Sequence, residues 1–242
     1  MPTVAPRLLL LAPAIVPAVV VAIVIAVVLD APVSLLIGLV VGVAIAVALV
    51  WWLERRAPSA ALRSLGAQPL IPGSEPRLES LVESICASHG ISEPQLYLVE
   101  SRAPDAAVAG NANDTRLVVT TGALRQLDRL ELEAVVAREL VMFGNGIHAA
   151  TVLASVAPFY GPFADRLRSR MLDDRRLALV DIEGVKLTRY PPALAGAFEK
   201  AAIADGVPDR PASRHLWLIG PHGSHGLVQP ALTERIDTLR EL

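Results

Sequence analysis

The pattern of this chain predicts an α-rich α+β protein: an N-terminal transmembrane helical hairpin, then one mostly helical domain with a small sheet. Three observations carry that expectation. Leu8–Leu29 and Val33–Leu53 are free of charged residues, and each is close to the ~20 residues that cross a bilayer. Beyond residue 76, apolar residues recur at three- and four-residue intervals in several segments, the spacing of helices packed on a core. Two short segments, Gln95–Val99 and Arg116–Thr121, are instead rich in Leu, Val, Thr and Tyr and bounded by turn residues, the signature of strands.

Taken in order, Asp30-Ala31-Pro32 is a minimal turn between the two apolar runs, so they pair as a hairpin over residues 1–56. Trp51 and Trp52 fall where an interfacial aromatic belt would lie. Arg7 precedes the first run and Arg55, Arg56 and Arg63 follow the second, which puts both flanks, and both termini, on the cytoplasmic side of a cell membrane. A cleaved signal peptide fits the first run poorly, because the run is long and lacks an A-x-A site. Residues 57–76, with their prolines, glycines and serines, read as a linker, and 77–242 as the domain.

In that domain Pro76–His89 reads as a helix ending at Gly90, and Asn111–Asp114 as a turn ahead of the second strand. Leu130–Phe143 is a core helix. Ile147–Ala164 is apolar but short for a span and is followed by Arg166, Arg168, Arg170, Arg175 and Arg176, so it reads as a core or membrane-surface helix. Arg175–Leu187, Ala193–Ala204 and Ala231–Leu242 are further helices, with loop at 205–211 and a glycine-rich turn holding His222 and His225. As a metal site, that histidine pair has neither cysteines nor a helical i, i+4 partner, and a solvated loop is the better reading.

Composition excludes several classes. The net charge of −2 offers no basic field for nucleic acid. A single cysteine, Cys86, rules out an internal disulfide and a cysteine zinc site. The bilayer is therefore the first partner to expect.

The chemistry centres on Ala134-Val135-Val136-Ala137-Arg138-Glu139-Leu140-Val141-Met142. In zinc metalloproteases such a helix carries H-E-x-x-H. The two histidines share one face and hold the metal, and the glutamate serves as general base. Here Glu139-Leu140 stands in the middle, with Arg138 and Met142 in the histidine positions. A guanidinium cannot ligate Zn²⁺ and repels it, and a thioether is a poor zinc ligand.

The surrounding residues resemble the HtpX-like membrane zinc metallopeptidases, the family that includes the CAAX prenyl proteases. Ala103-Pro104-Asp105-Ala106-Ala107-Val108-Ala109-Gly110 is similar to the family's P-N-A-F-A-x-G segment, and Leu117–Leu124 with Leu130–Ala137 to its strand and active-site helix. Val180-Asp181 resembles its E-A-D segment, and Gln229-Pro230 before Glu234-Arg235-Ile236 a histidine-proline turn. The resemblance runs from about Leu78 to the end. It implies a zincin-like, gluzincin-type domain after the hairpin.

On that resemblance, Leu179 takes the place of the third zinc ligand and Gln229 that of the C-terminal histidine, leaving Glu139 as a vestigial base and no metal or other cofactor. Met142 and Leu179 would fill the space of the ion. Arg138, if it points inward, requires a carboxylate, for which Asp181 and Glu139 are the candidates. The family's hairpin edge implies docking of an extended peptide by strand addition. The leading expectation is a pseudopeptidase that binds or regulates membrane proteins or a catalytic relative. The alternatives are an active zinc endopeptidase of membrane protein quality control and a structural membrane protein with no client.

Overall fold

The computed structural model describes residues 6–29, 34–111, 114–143, 147–160, 174–221 and 231–242. Helix α1 (Pro6–Leu29) lies antiparallel against α2 (Ser34–Leu65). The backbones meet closely: a Cβ on Gly38 would fall 2.7 Å from Ala22 O, and one on Gly42 3.1 Å from Ala18 O. Small residues at such a seam let the two apolar helices pack closely. Within α2, the segment Ile37–Leu65 is long and apolar enough to cross a membrane by length and composition.

α2 does not stop at the expected linker. It runs to Leu65, through Pro58, and buries Ala57, Ala61, Leu62 and Leu65. An interior proline removes one helical hydrogen bond and costs ~3 kcal/mol or more. Burial of four apolar side chains against the domain offsets that cost.

The sheet comprises β1 (Gln68–Pro69), β2 (Gln95–Val99), β3 (Ala106–Asn111) and β4 (Asp114–Thr120), in the order β1-β2-β4-β3. β2 and β4 are parallel and the other pairs antiparallel. The β3–β4 hairpin closes with Asn111 opposite Asp114. Gly110 has φ +142°, and a Cβ there would fall against Asp114 O, so the approach to the turn requires glycine.

Strand alternation divides the core. Ala106, Val108, Leu117 and Val119 face one cluster, whereas Ala107, Ala109 and Val118 face another with Ala61, Leu62 and Trp217. A sheet buried on both faces reads as a continuous apolar run, which is why β3 looks like no alternating strand in the sequence.

On the first face lie α3 (Pro76–His89), the short α4 (Thr121–Gln126) and α5 (Arg129–Met142). α3 ends on Gly90 in the left-handed conformation, as the sequence predicts. α5 starts with a capping box, in which Asp128 accepts from Glu131 N at 2.9 Å and Glu131 accepts from Asp128 N at 2.7 Å. Against α5 pack α7 (Asp174–Thr188) and α8 (Pro191–Ile203), and α9 (Leu232–Arg240) packs in turn on these two. The intervening α6 (Ile147–Tyr160) lies on the other face against α2 and β3, with Val152, Leu153 and Val156 fully buried. It is a core helix.

Candidate functional site

α5 presents Arg138 and Glu139 inward because both flanks of this part of the helix are covered. Val135 to Leu140 are all buried, Arg138 is 3% exposed and Glu139 0%. α7 crosses at this point with almost no gap. A Cβ on Gly184 would fall 2.6 Å from Arg138 Cα. The contact brings Asp181, one turn earlier on α7, beside the guanidinium.

Four charges then meet out of water. Arg138 Nε donates to Asp181 Oδ1 at 2.9 Å, and Arg138 Nη1 to Glu139 Oε1 at 2.5 Å. Arg235 of α9 donates Nε to Asp181 Oδ2 at 2.7 Å, Nη2 to Oδ1 at 2.9 Å and Nη1 to Leu218 O at 2.8 Å. Its guanidinium also lies 4.3 Å over the Phe198 ring. Asp181 thus joins α5, α7 and α9. Burial raises its pKa, but Arg235 and Arg138 outweigh burial and hold the carboxyl below its ordinary range. Burial dominates for Glu139 and pushes its pKa up despite Arg138. Glu139 Oε2 has no hydrogen-bond partner among the described residues.

Arg235 belongs to this cluster, yet its motif position alone does not assign it there. The signal was available: Leu232, Ile236 and Leu239 form the apolar stripe of α9, and Arg235 stands inside it. A charge at a core position must find a buried partner.

Leu179 corrects an expectation. It is 57% exposed, so it fills no space between α5 and α7. A helix aligns residues three and four apart, so position 179 projects away from Asp181 and Gly184. Met142 is half-buried and packs on the main core. Gln229, His222 and His225 lie outside the described residues.

Among the described residues, the donors around α5 do not fit zinc. A tetrahedral zinc site needs imidazole, thiolate or carboxylate ligands. α5 offers a guanidinium and a thioether instead, and its one carboxylate at this point is bonded to Arg138. Among the described residues, no three His, Cys, Asp or Glu side chains gather as a metal site.

A second buried acid organises the rim. Asp105 Oδ1 accepts from Ala106 N at 2.8 Å and Ile219 N at 3.1 Å, and Oδ2 from Gly220 N at 2.8 Å. Full burial outweighs these three amides and, with Glu139 nearby, raises its pKa to about 7. Asp105 thereby ties the segment after the 3₁₀ turn Arg214–Leu216 to the start of β3. Leu218 N donates to Ala106 O at 2.7 Å, and Ala107 and Trp217 form an antiparallel bridge. At the far end Gly110 N donates to Thr151 Oγ1 of α6 at 2.9 Å. Ala106 to Gly110 are all buried, so the outer edge of β3 is covered by this chain itself. The other edge, β1, is two residues long and ends on a proline.

Known proteins resemble this chain in sequence. Residues 72–143, from the approach to α3 to the end of α5, match peptidase family M48. The Protease HtpX homologs of Paraburkholderia phytofirmans and Methylibium petroleiphilum are 26% and 27% identical, over 75% and 74% of this chain and 79% and 78% of their own. That of Tropheryma whipplei is 28% identical over 73% of this chain and 76% of its own. This is an HtpX-like family member. The matched region takes in the whole of α5, with Arg138, Glu139 and Met142.

Proposed function

We propose that this chain is a membrane-anchored HtpX-like homologue without peptidase activity, which binds or regulates membrane proteins, a catalytic relative among them. One observation carries the proposal. Glu139, the residue resembling a general base, is fully enclosed and has one oxygen bonded at 2.5 Å to Arg138, the residue in the first ligand position. A general base must reach the proton it abstracts within ~2.6–3.2 Å, directly or through one water. Arg138 is held in turn by Asp181, so the cation is built into the scaffold.

In this reading α1 and α2 form a two-span hairpin, residues 1–56, with both termini cytoplasmic. The exposed apolar side chains of both helices, among them Val16, Val27, Leu39 and Val47, support a lipid or helix partner. Since the chain covers its own β3 edge, client recognition rests on helices rather than on strand addition.

The test is zinc content by mass spectrometry after purification in mild detergent, together with digestion of casein. The expected result is sub-stoichiometric zinc and no cleavage. Near-equimolar zinc with chelator-sensitive cleavage that disappears in Glu139→Gln would establish the active peptidase instead.

A further inference from the structure

The face of α2 opposite its protein contacts changes character along its length. Val50, Leu53 and Ala57 pack toward Val152, Leu153 and Val156. The outward strip runs Val40, Val43, Val47, then Trp51 and Arg55, in steps of three and four residues that keep to one side of a helix. Trp52 and Arg56 repeat the ending beside it. Both indoles are exposed, 54% and 47%, as are both arginines.

The arginines are ordered by the tryptophans. Arg55 Cζ lies 3.9 Å from the centroid of Trp51, and Arg56 Cζ 5.0 Å from that of Trp52. Stacking occupies the face of a guanidinium and leaves its N–H edge free to bind oxygen. Neither arginine has a carboxylate in ion-pair reach among the described residues, and neighbouring Glu54 is turned to His148 at 3.2 Å. Among the described residues, two oriented cations therefore stand without a carboxylate partner where an apolar strip ends in indoles.

We propose that the outward face of α2 at Trp51–Arg56 is a headgroup site for anionic phospholipid, with phosphate oxygens taken by the guanidiniums of Arg55 and Arg56. The occupant follows from the order of chemistry along one strip: apolar for acyl chains, indole for the interface, then a planar cation that matches phosphate. The site rests on the membrane reading above, and it commits to phosphate carried on a lipid rather than in solution.

Trp51 and Trp52 report on their own site. Of the three tryptophans, Trp217 is 3% exposed in the core and shielded from lipid. The full chain is reconstituted in vesicles of phosphatidylcholine and phosphatidylglycerol, with one or the other brominated, and tryptophan quenching gives the relative association of the two lipids. A basic residue near an anionic surface favours it by roughly fivefold. We expect phosphatidylglycerol to be preferred by about that factor or more, and Arg55→Gln with Arg56→Gln to bring the ratio to one while quenching by brominated phosphatidylcholine persists. Arg55→Lys with Arg56→Lys should retain part of the preference. Equal quenching in the wild type, or a preference that survives the double Gln variant, overturns the site and leaves the membrane anchor standing. A preference erased by inorganic phosphate overturns the lipid as occupant. No quenching by either lipid overturns both the site and the anchor.

Discussion

The Cβ that Gly184 lacks would fall 2.6 Å from the Cα of Arg138, so α5 and α7 touch backbone to backbone beside the charge cluster. Gly184→Ala gains ~1 kcal/mol of helix propensity. The overlap must push α7 outward, and such overpacking costs ~1–3 kcal/mol before the stretched Arg138–Asp181 bond is counted. The expected outcome is net destabilisation, read as a lower denaturant midpoint in detergent.

Asp181 holds two buried guanidiniums, so its neutral analogue should be severely destabilised. Asp181→Asn leaves Arg138 and Arg235 facing an amide, and breaking a buried pair costs ~3–5 kcal/mol. The folded pKa of Asp181 is lowered, so its stabilisation is present above its ordinary value of 3.8 and is lost as pH falls through the folded value below that. Wild-type stability should therefore drop in that acid range, and the drop should shrink in the Asn variant.

Asp105 predicts the opposite slope. Its folded pKa is raised to about 7 from 3.8, so the folded state binds the proton more tightly. The contribution is full below the unfolded value and is lost as pH rises through about 7. Unfolding midpoints measured from about pH 5 to about pH 8 should fall, and Asp105→Asn should flatten that trend. The same variant should lower overall stability by ~1–3 kcal/mol, since an amide cannot satisfy all three backbone donors.

Trp217 closes the edge of β3 and fills the second core cluster. Trp217→Ala should cost ~3–5 kcal/mol as a cavity. Hydrogen exchange should quicken first at Leu218 and Gly110, the amides that bond β3 or its cover. Slow exchange there in the variant would mean the edge is covered without Trp217.

For the anchor, a reporter fused after Leu242 should be active only as a cytoplasmic fusion. Activity of an exported reporter at that position would overturn the two-span hairpin with cytoplasmic termini.

Most of the local structure was legible in the sequence because it depends on neighbours in the chain. Helix α3 keeps its expected limits of Pro76 and His89, and β2 its limits of Gln95 and Val99, since a proline start, a glycine cap and apolar spacing act within a turn or two. α2 was legible as a membrane-length apolar helix. β3 was not, because a strand buried on both faces loses the alternation that marks strands.

The site divides along the same line. The sequence by itself determined that α5 carries Arg138 and Met142 around Glu139, and that a buried Arg138 would need a carboxylate. Tertiary structure decided the rest. It gave Arg138 both Asp181 and Glu139 and added Arg235, placed Leu179 on the outside of α7, and folded Trp217–Gly220 over the β3 edge. Each of these is set by how one element crosses another, at separations of tens of residues along the chain. Such crossings depend on volumes such as the missing Cβ of Gly184 and on the requirement that every buried charge find its opposite, conditions no single helix can meet alone.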